Sequence, residues 1–195
     1  MENISTKFKH LFEVISSQRF LKMEALGGEI PFFITAYDIK QAVEVEKATK
    51  ALIKKLGTAG VSVLELNFYD ISIEILEEEL GMEELFQIEA DMDKEEFKDA
   101  LQSVLDIQEV FIPTIKKKID KSSAKVYFLT GIGLVFPFMR AHNLLNNLQN
   151  VAKDAPTVAF FPGAYSGDSL NLFSVMQNDN YYRAFNIENI ETKQL

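Results

Sequence analysis

The residues with the most chemical potential form two stretches. Thr130-Gly131-Ile132-Gly133 leads into Arg140, His142, Asn143, Asn146 and Asn147, and Phe161-Pro162-Gly163 leads through Ser166, Gly167 and Ser169 to Tyr181, Tyr182 and Arg183. A glycine pair after an apolar strand can bring backbone amides close to a phosphate, and a second glycine-bearing loop can form an anion-binding concavity. Arginine, imidazole and carboxamide groups on one helix face donate and accept hydrogen bonds without being nucleophiles. Asn143 and Asn147 lie four residues apart, as do His142 and Asn146, so each pair shares a helix face. Ser166 and Ser169 could attack an electrophile, but neither sits in a Gly-x-Ser-x-Gly elbow. No nucleophile–base pair is evident, and the stretch is suited to binding rather than reaction.

Motif chemistry narrows the reading. The Gly131-Ile-Gly133 turn has Phe136 where a dinucleotide loop carries its third glycine, and no Walker A sequence occurs. Cysteine is absent, and the two histidines, His10 and His142, share no ligand-like spacing, so no metal or other cofactor is expected. Two accounts of the polar residues on the 140–147 helix stand side by side. In one they pin neighbouring loops; in the other they meet a partner. Tyr181, Tyr182 and Arg183 are residue types enriched at protein interfaces, or else belong to an edge strand whose arginine pairs with Asp168 or Asp179.

These groups need a frame. Apolar runs at 30–35, 61–68, 126–129 and 157–161 read as strands, with a last short strand at 182–187. Helical patterns occupy 5–22, 40–57, 70–121 and the segment after Gly133. Over 40–57 the inward residues are read as Val43, Ala48, Leu52 and Ile53. In the second strand Ser62, Glu65 and Asn67 interrupt the apolar run, which implies an incompletely covered sheet face. Asp70 is read as an N-cap, and Pro113 as a kink or a fresh helix start. Strand–helix alternation predicts a single α/β domain spanning 1–195, a sandwich whose mostly parallel sheet of about five strands is flanked by helices. The 70–121 helices form an acidic insertion within it. The carboxyl edge of such a sheet is where ligands bind.

Charge is distributed unevenly. Residues 77–99 hold eleven acids against two lysines, which accounts for the whole net charge of −9. Clustered basic residues of the kind that displace counterions from phosphates are missing, so direct nucleic-acid binding is not expected. Lys116-Lys117-Lys118 ends a predicted helix, where cations offset the carbonyl end of the macrodipole. Neither a signal-peptide pattern nor a membrane-length apolar run is present, and the expected location is cytoplasmic.

Longer motifs carry a family likeness. The stretch Leu129–Leu148, the block Phe161–Phe173 and the block Asp179–Phe185 resemble the signature of the BrxB family, and Glu29–Phe32 and Leu64–Asp70 resemble it more loosely. This chain has Ala141 and Asn143 where the family typically has Ser and Thr, and Asp168 where it has Gln. The resemblance implies a small component of BREX (bacteriophage exclusion) defence, encoded beside a large ATPase, a DNA methyltransferase and PglZ, an alkaline-phosphatase-like protein. It implies a non-catalytic adaptor with PglZ as direct partner. Arg140, His142, Asn146, Asn147, Tyr181, Tyr182 and Arg183 are the expected recognition surface, and Gly131, Gly133, Gly163 and Gly167 are expected to shape it. The competing class is a degenerate nucleotide-binding or hydrolytic domain using the Thr130–Gly133 and Gly163–Ser169 loops.

Overall fold

The computed structural model describes residues 3–24, 31–167, 169–181 and 184–191, with the side chains of 176–181 excepted. Its centre is a parallel sheet in which β1 (Phe32–Tyr37), β2 (Val63–Asn67), β3 (Val126–Thr130), β4 (Thr157–Tyr165) and β7 (Phe185–Asn186) lie in the order β2-β3-β4-β1-β7. All four strand contacts within it are parallel. The long apolar runs of β1, β3 and β4 suit this arrangement, because a parallel sheet covered on both sides has no solvent face.

Side-chain alternation separates two apolar layers. Phe33, Val126, Phe128, Val158 and Phe160 pack against α1 (Ile4–Ile15), α2 (Gln18–Leu21) and α3 (Ala42–Thr58). Ile34, Leu66, Leu129, Ala159 and Phe161 pack against α4 (Phe68–Glu79), α7 (Ile112–Asp120) and α8 (Ala141–Leu148). Phe128 and Phe160 meet edge-on at 5.1 Å under the first layer, and Phe68 and Phe111 at 5.7 Å under the second. The fold is therefore the expected sandwich.

Several local expectations are corrected. The opening helix breaks at Ser16-Ser17, where Ser17 accepts from the Phe20 N–H and starts α2. In α3 the buried stripe is Val45, Thr49, Leu52 and Leu56, whereas Val43 is turned outward. A 3-10 turn over Ile39–Gln41, capped by Asp38, precedes α3; within the helix Val43 and Leu52 are half a turn out of phase, so they cannot share a face. Asn67, not Asp70, caps α4: its Oδ1 accepts from the N–H groups of Tyr69 and Asp70. Asp70 sits in the first turn, where a carboxylate favours the positive end of the dipole.

Between β2 and β3 lie α4, α5 (Met82–Asp91), α6 (Lys94–Val104), a π-helical turn at Ile107–Phe111, and α7 with Pro113 in its first turn. Pro113 thus marks a fresh start. α4 and α7 are layer helices, burying Ile71, Ile75, Ile115 and Ile119 in the second core. α6 buries no residue fully, as expected of a highly charged surface helix. Lys116 pairs with Asp120 at 2.7 Å and Lys118 with Glu74 at 2.7 Å, so two lysines of the basic run are engaged within the fold.

The largest departure is at the C-terminal end. The segment read as a loop over 163–169 is mostly strand: β4 runs on to Tyr165, and β5 (Ser169–Leu172) and β6 (Met176–Tyr181) extend it as an antiparallel sheet. Gly163 makes this possible, since it adopts φ +148° and any Cβ there would run into the Asn171 carbonyl. The expected strand at 182–187 is shorter, β7 alone being parallel to β1. Tyr182 and Arg183 lie outside the described residues, as does Asp168.

Candidate functional site

The connections leaving the carboxyl ends of the strands diverge. β1 leads through Asp38 into α3 on one face, whereas β2 and β3 lead into α4 and toward α8 on the other. A crevice is expected where such connections separate, and a cleft of about 680 Å³ occupies that position. Its walls are α3, the ends of β1 to β4, the start of α4 and the Gly131–Leu134 turn. Glu65 and Asn67, the residues that interrupt the apolar run of β2, face into it as the uncovered sheet surface anticipated from sequence.

The residues after β3 do not continue directly into a helix. Residues 132–138 form consecutive turns, including a cis Phe136–Pro137 bond, and the helix starts only at Ala141 with Arg140 as N-cap. Gly131 adopts φ +69°, and a Cβ there would overlap the Asn67 carboxamide. Gly133 passes close to Pro162 and Phe173; an added Cβ would lie 2.8 and 2.9 Å from their ring atoms. Gly167 also has positive φ, at the hairpin turn, with open space around it. Phosphate loops of this kind aim a helix N-terminus at the glycine turn, and no helix begins at Gly133 to supply one.

The electrostatics of the cleft also disfavour phosphate. Its charged lining is one lysine, Lys50, against three carboxylates, Glu46, Glu65 and Asp70. Lys50 and Glu46 pair at 2.5 Å along α3. That bond, joined by the fields of Glu65 and Asp70, pushes the Lys50 ammonium above its ordinary range. Glu65 Oε1 accepts from the Thr130 hydroxyl at 2.8 Å. Burial, aided by Glu46, raises the Tyr37 phenol to about 12, so it is neutral and able to donate.

The mouth of the cleft carries exposed apolar side chains. Ile39 is 41% exposed, Val43 63%, Tyr69 41% and Leu134 62%, and all four line it. Phe160 forms buried floor, with Pro162 and Phe173 beside it. Of the residues singled out in sequence, Gly131 and Gly133 join this site, together with Thr130. Tyr37, Val43, Lys50, Tyr69 and Asp70 do so without having been anticipated as lining. Only the polar alternation of β2 signalled this face, because the rest is assembled from four separate connections.

The expected residues of α8 do not line this cleft, and Tyr182 and Arg183 lie outside the described residues. α8 buries Ala141, Leu144, Leu145 and Leu148 and turns Arg140, Asn143 and Asn146 outward. Asn147 Nδ2 donates to the Asn143 carbonyl at 2.8 Å, a local contact within the helix. The Arg140 guanidinium lies over the Phe136 ring at 5.4 Å, and Phe136 meets Phe173 edge-on at 6.3 Å. A short aromatic chain therefore links Arg140 to the cleft wall. The backbone of Tyr181 ends β6. Among the described residues no group of three or more His, Asp or Glu side chains is placed to hold a metal ion, and no helix is long and apolar enough to cross a membrane.

Partial burial, and then the Arg140 charge, lower the His142 pKa. The folded state thus favours neutral imidazole. Its contribution to stability is present above the ordinary value of 6.5 and is lost as pH falls through the lower folded value. In a proton NMR titration the His142 midpoint is expected below 6.5. It should move up in Arg140→Gln yet stay below that value, burial being the larger cause. A midpoint unmoved by that substitution would remove Arg140 from the account.

Comparison with known proteins supplies the family. A family model described as "BREX protein BrxB" matches residues 64–187, which include all of β2 but its first residue, β3, the glycine turn, α8 and the hairpin. A relative from Bacillus cereus (strain H3081.97), named BREX protein BrxB, is 30% identical over 191 residues, covering 96% of this chain and 98% of the relative. Another of that name, from Escherichia coli O9:H4 (strain HS), is 34% identical over 173 residues, covering 89% and 86%. No solved structure matches the chain. With more than half its length matched by the family model and a near full-length relative at 30% identity, the chain belongs to the BrxB family.

Proposed function

We propose that this protein is a non-catalytic assembly component of a BREX antiphage defence complex, and that its direct partner is a PglZ-type alkaline-phosphatase-like protein. Family membership supports the BREX setting, and other components of the system are the natural partners. The observation that carries the assembly role is the ring of exposed Ile39, Val43, Tyr69 and Leu134 about a concave site. Clustered exposed apolar side chains around a depression are one mark of a surface that another protein covers. The outward face of α8, with Arg140 and Asn146, is a second candidate contact, joined to the first through Phe136 and Phe173. In this reading the chain works in the cytoplasm and uses no cofactor.

Co-purification with the PglZ-type protein of the same operon tests the proposal. Tagged wild type is expected to retain that protein. Arg140→Ala combined with Arg183→Ala is expected to lose it at an unchanged melting temperature; Arg140 is exposed at the start of α8, outside the core. Failure of the wild type to retain the PglZ-type protein would refute that partner. Retention by the double variant would move the contact from α8 to the cleft.

A further inference from the structure

We propose that the cleft at the carboxyl edge of the sheet receives a basic side chain, arginine or lysine, presented on an apolar segment of a partner protein. The inference rests on the assembly reading above and names the chemistry of the segment recognised. Four observations converge on it.

The first is uncompensated charge. Lys50 is engaged by Glu46, and among the described residues neither Glu65 nor Asp70 forms an ion pair. Glu65 spends one acceptor site on the Thr130 hydroxyl. A carboxylate has about four lone-pair sites, so further donors can be accommodated. A cation entering the cleft meets two carboxylates, and an anion meets the same two as repulsion. Phosphate-bearing ligands are disfavoured for that reason.

The second is the surface between the charges. Phe160, Pro162, Phe173 and Leu134 form an apolar wall. Arginine and lysine bury their methylene stems along such walls while the charged head stays at a polar end, and a guanidinium can also stack on an aromatic face.

The third is size. At about 680 Å³ the cleft exceeds one side chain. The exposed rim formed by Ile39, Val43, Tyr69 and Leu134 requires apolar neighbours on either side of the inserted base. That pattern, a desolvated apolar surround about a charged anchor, is how protein interfaces concentrate binding energy.

The fourth is preorganisation. Asn67 and Gly131 interlock, Thr130 tethers Glu65, and Gly133 lies against Pro162 and Phe173. The walls are held by the fold before any partner arrives, which reduces the ordering cost of binding.

The probe for a direct test is acetyl-Leu-Arg-Leu-amide, with acetyl-Leu-citrulline-Leu-amide as its uncharged near-isostere. Both are titrated into the intact protein and followed by amide NMR shifts of Gly131, Gly133 and Leu134. The arginine peptide is expected to give saturable shifts at these positions, with the citrulline peptide weaker by at least about tenfold, the order of loss when a charge-assisted bond is replaced by a neutral one. Glu65→Gln with Asp70→Asn should abolish the difference between the peptides. Glu65→Gln alone, which keeps a hydrogen-bond acceptor for Thr130, should reduce it and serves where the double variant is not folded. Equal affinity for the two peptides, or no saturation of the cleft amides, overturns the inference. The assembly reading fails separately. Loss of the PglZ-type complex in wild type, with arginine binding intact, removes that partner and leaves the cleft chemistry standing. A PglZ-type complex that survives Glu65→Gln/Asp70→Asn overturns the cleft as its contact while the assembly reading stands.

Discussion

Replacing Lys7 with alanine is expected to destabilise the protein by about 3 kcal/mol, the lower end of the range for removing one member of a buried pair. Lys7 is almost fully enclosed, with a side-chain exposure of 4%, and its ammonium pairs with Glu188 at 2.6 Å. It also donates to the Ala36 carbonyl at the end of β1. Glu188 in turn accepts from the Thr35 hydroxyl at 3.0 Å. One lysine therefore ties α1, β1 and the C-terminal 3-10 turn into a single clasp. Its loss leaves a partly enclosed carboxylate whose one remaining side-chain partner among the described residues is the Thr35 hydroxyl. At 29% exposure Glu188 can recruit water, which is why the lower end of the range applies.

Urea unfolding at neutral pH measures the effect, and a double-mutant cycle with Glu188→Gln isolates its source. Lys7→Met retains the packed stem and strands only the charge. Combining it with Glu188→Gln should restore most of the loss, because two neutral groups cost less to bury than one unpaired ion. Strictly additive single and double losses would show that the stem, not the ion pair, carries the stability.

The second large effect concerns Gly131. Substitution by alanine imposes left-handed backbone strain, roughly 1–2 kcal/mol for a residue with a Cβ. It also displaces the Asn67 carboxamide that caps α4, and loss of such a cap typically costs about 1 kcal/mol. Together these predict a destabilisation of about 3 kcal/mol and a deformed cleft wall, since Tyr69 and Asp70 both follow the cap. Asn67→Ala alone should cost about 1 kcal/mol. In Asn67→Ala/Gly131→Ala the obstructing side chain is gone, so the combined loss should fall below the sum of the single losses. Thermal unfolding of the four proteins decides this. A sum that is met or exceeded would mean that the two residues do not compete for the same space.

Gly131 also illustrates what can be learned from a sequence. Its position after an apolar strand marks a tight turn correctly, since only the local pattern is needed. The turn's obligate contact, Asn67, lies 64 positions earlier in the chain and is brought beside it by the β2–β3 pairing of Asn67 with Thr130. Nothing local announces that meeting. Val43 shows the converse. Helical periodicity identified the helix, but Val43 is half a turn out of phase with Leu52, so it lies opposite the buried stripe and faces the cleft.

The hairpin after β4 was hidden for a similar reason. Pro162, Gly163 and Gly167 are turn residues by local propensity, and strand continuation past Pro162 is stabilised only by pairing with Leu170–Leu172. Local propensity is readily overruled when a neighbouring strand supplies hydrogen bonds.

By itself the sequence determined the fold class, the four main strands of the parallel sheet, the location of the acidic helices and, through its long motifs, the family. These are written in short-range periodicity and residue identity, which survive without knowledge of neighbours. The tertiary structure decided where the binding surface is. The exposed apolar rim, the surplus carboxylates and the glycine–asparagine interlock come from α3, the start of α4 and the ends of β1 to β4, strands whose order in the sheet differs from their chain order. A cleft is a relation among distant segments, and it exists only once the crossovers have set those segments side by side.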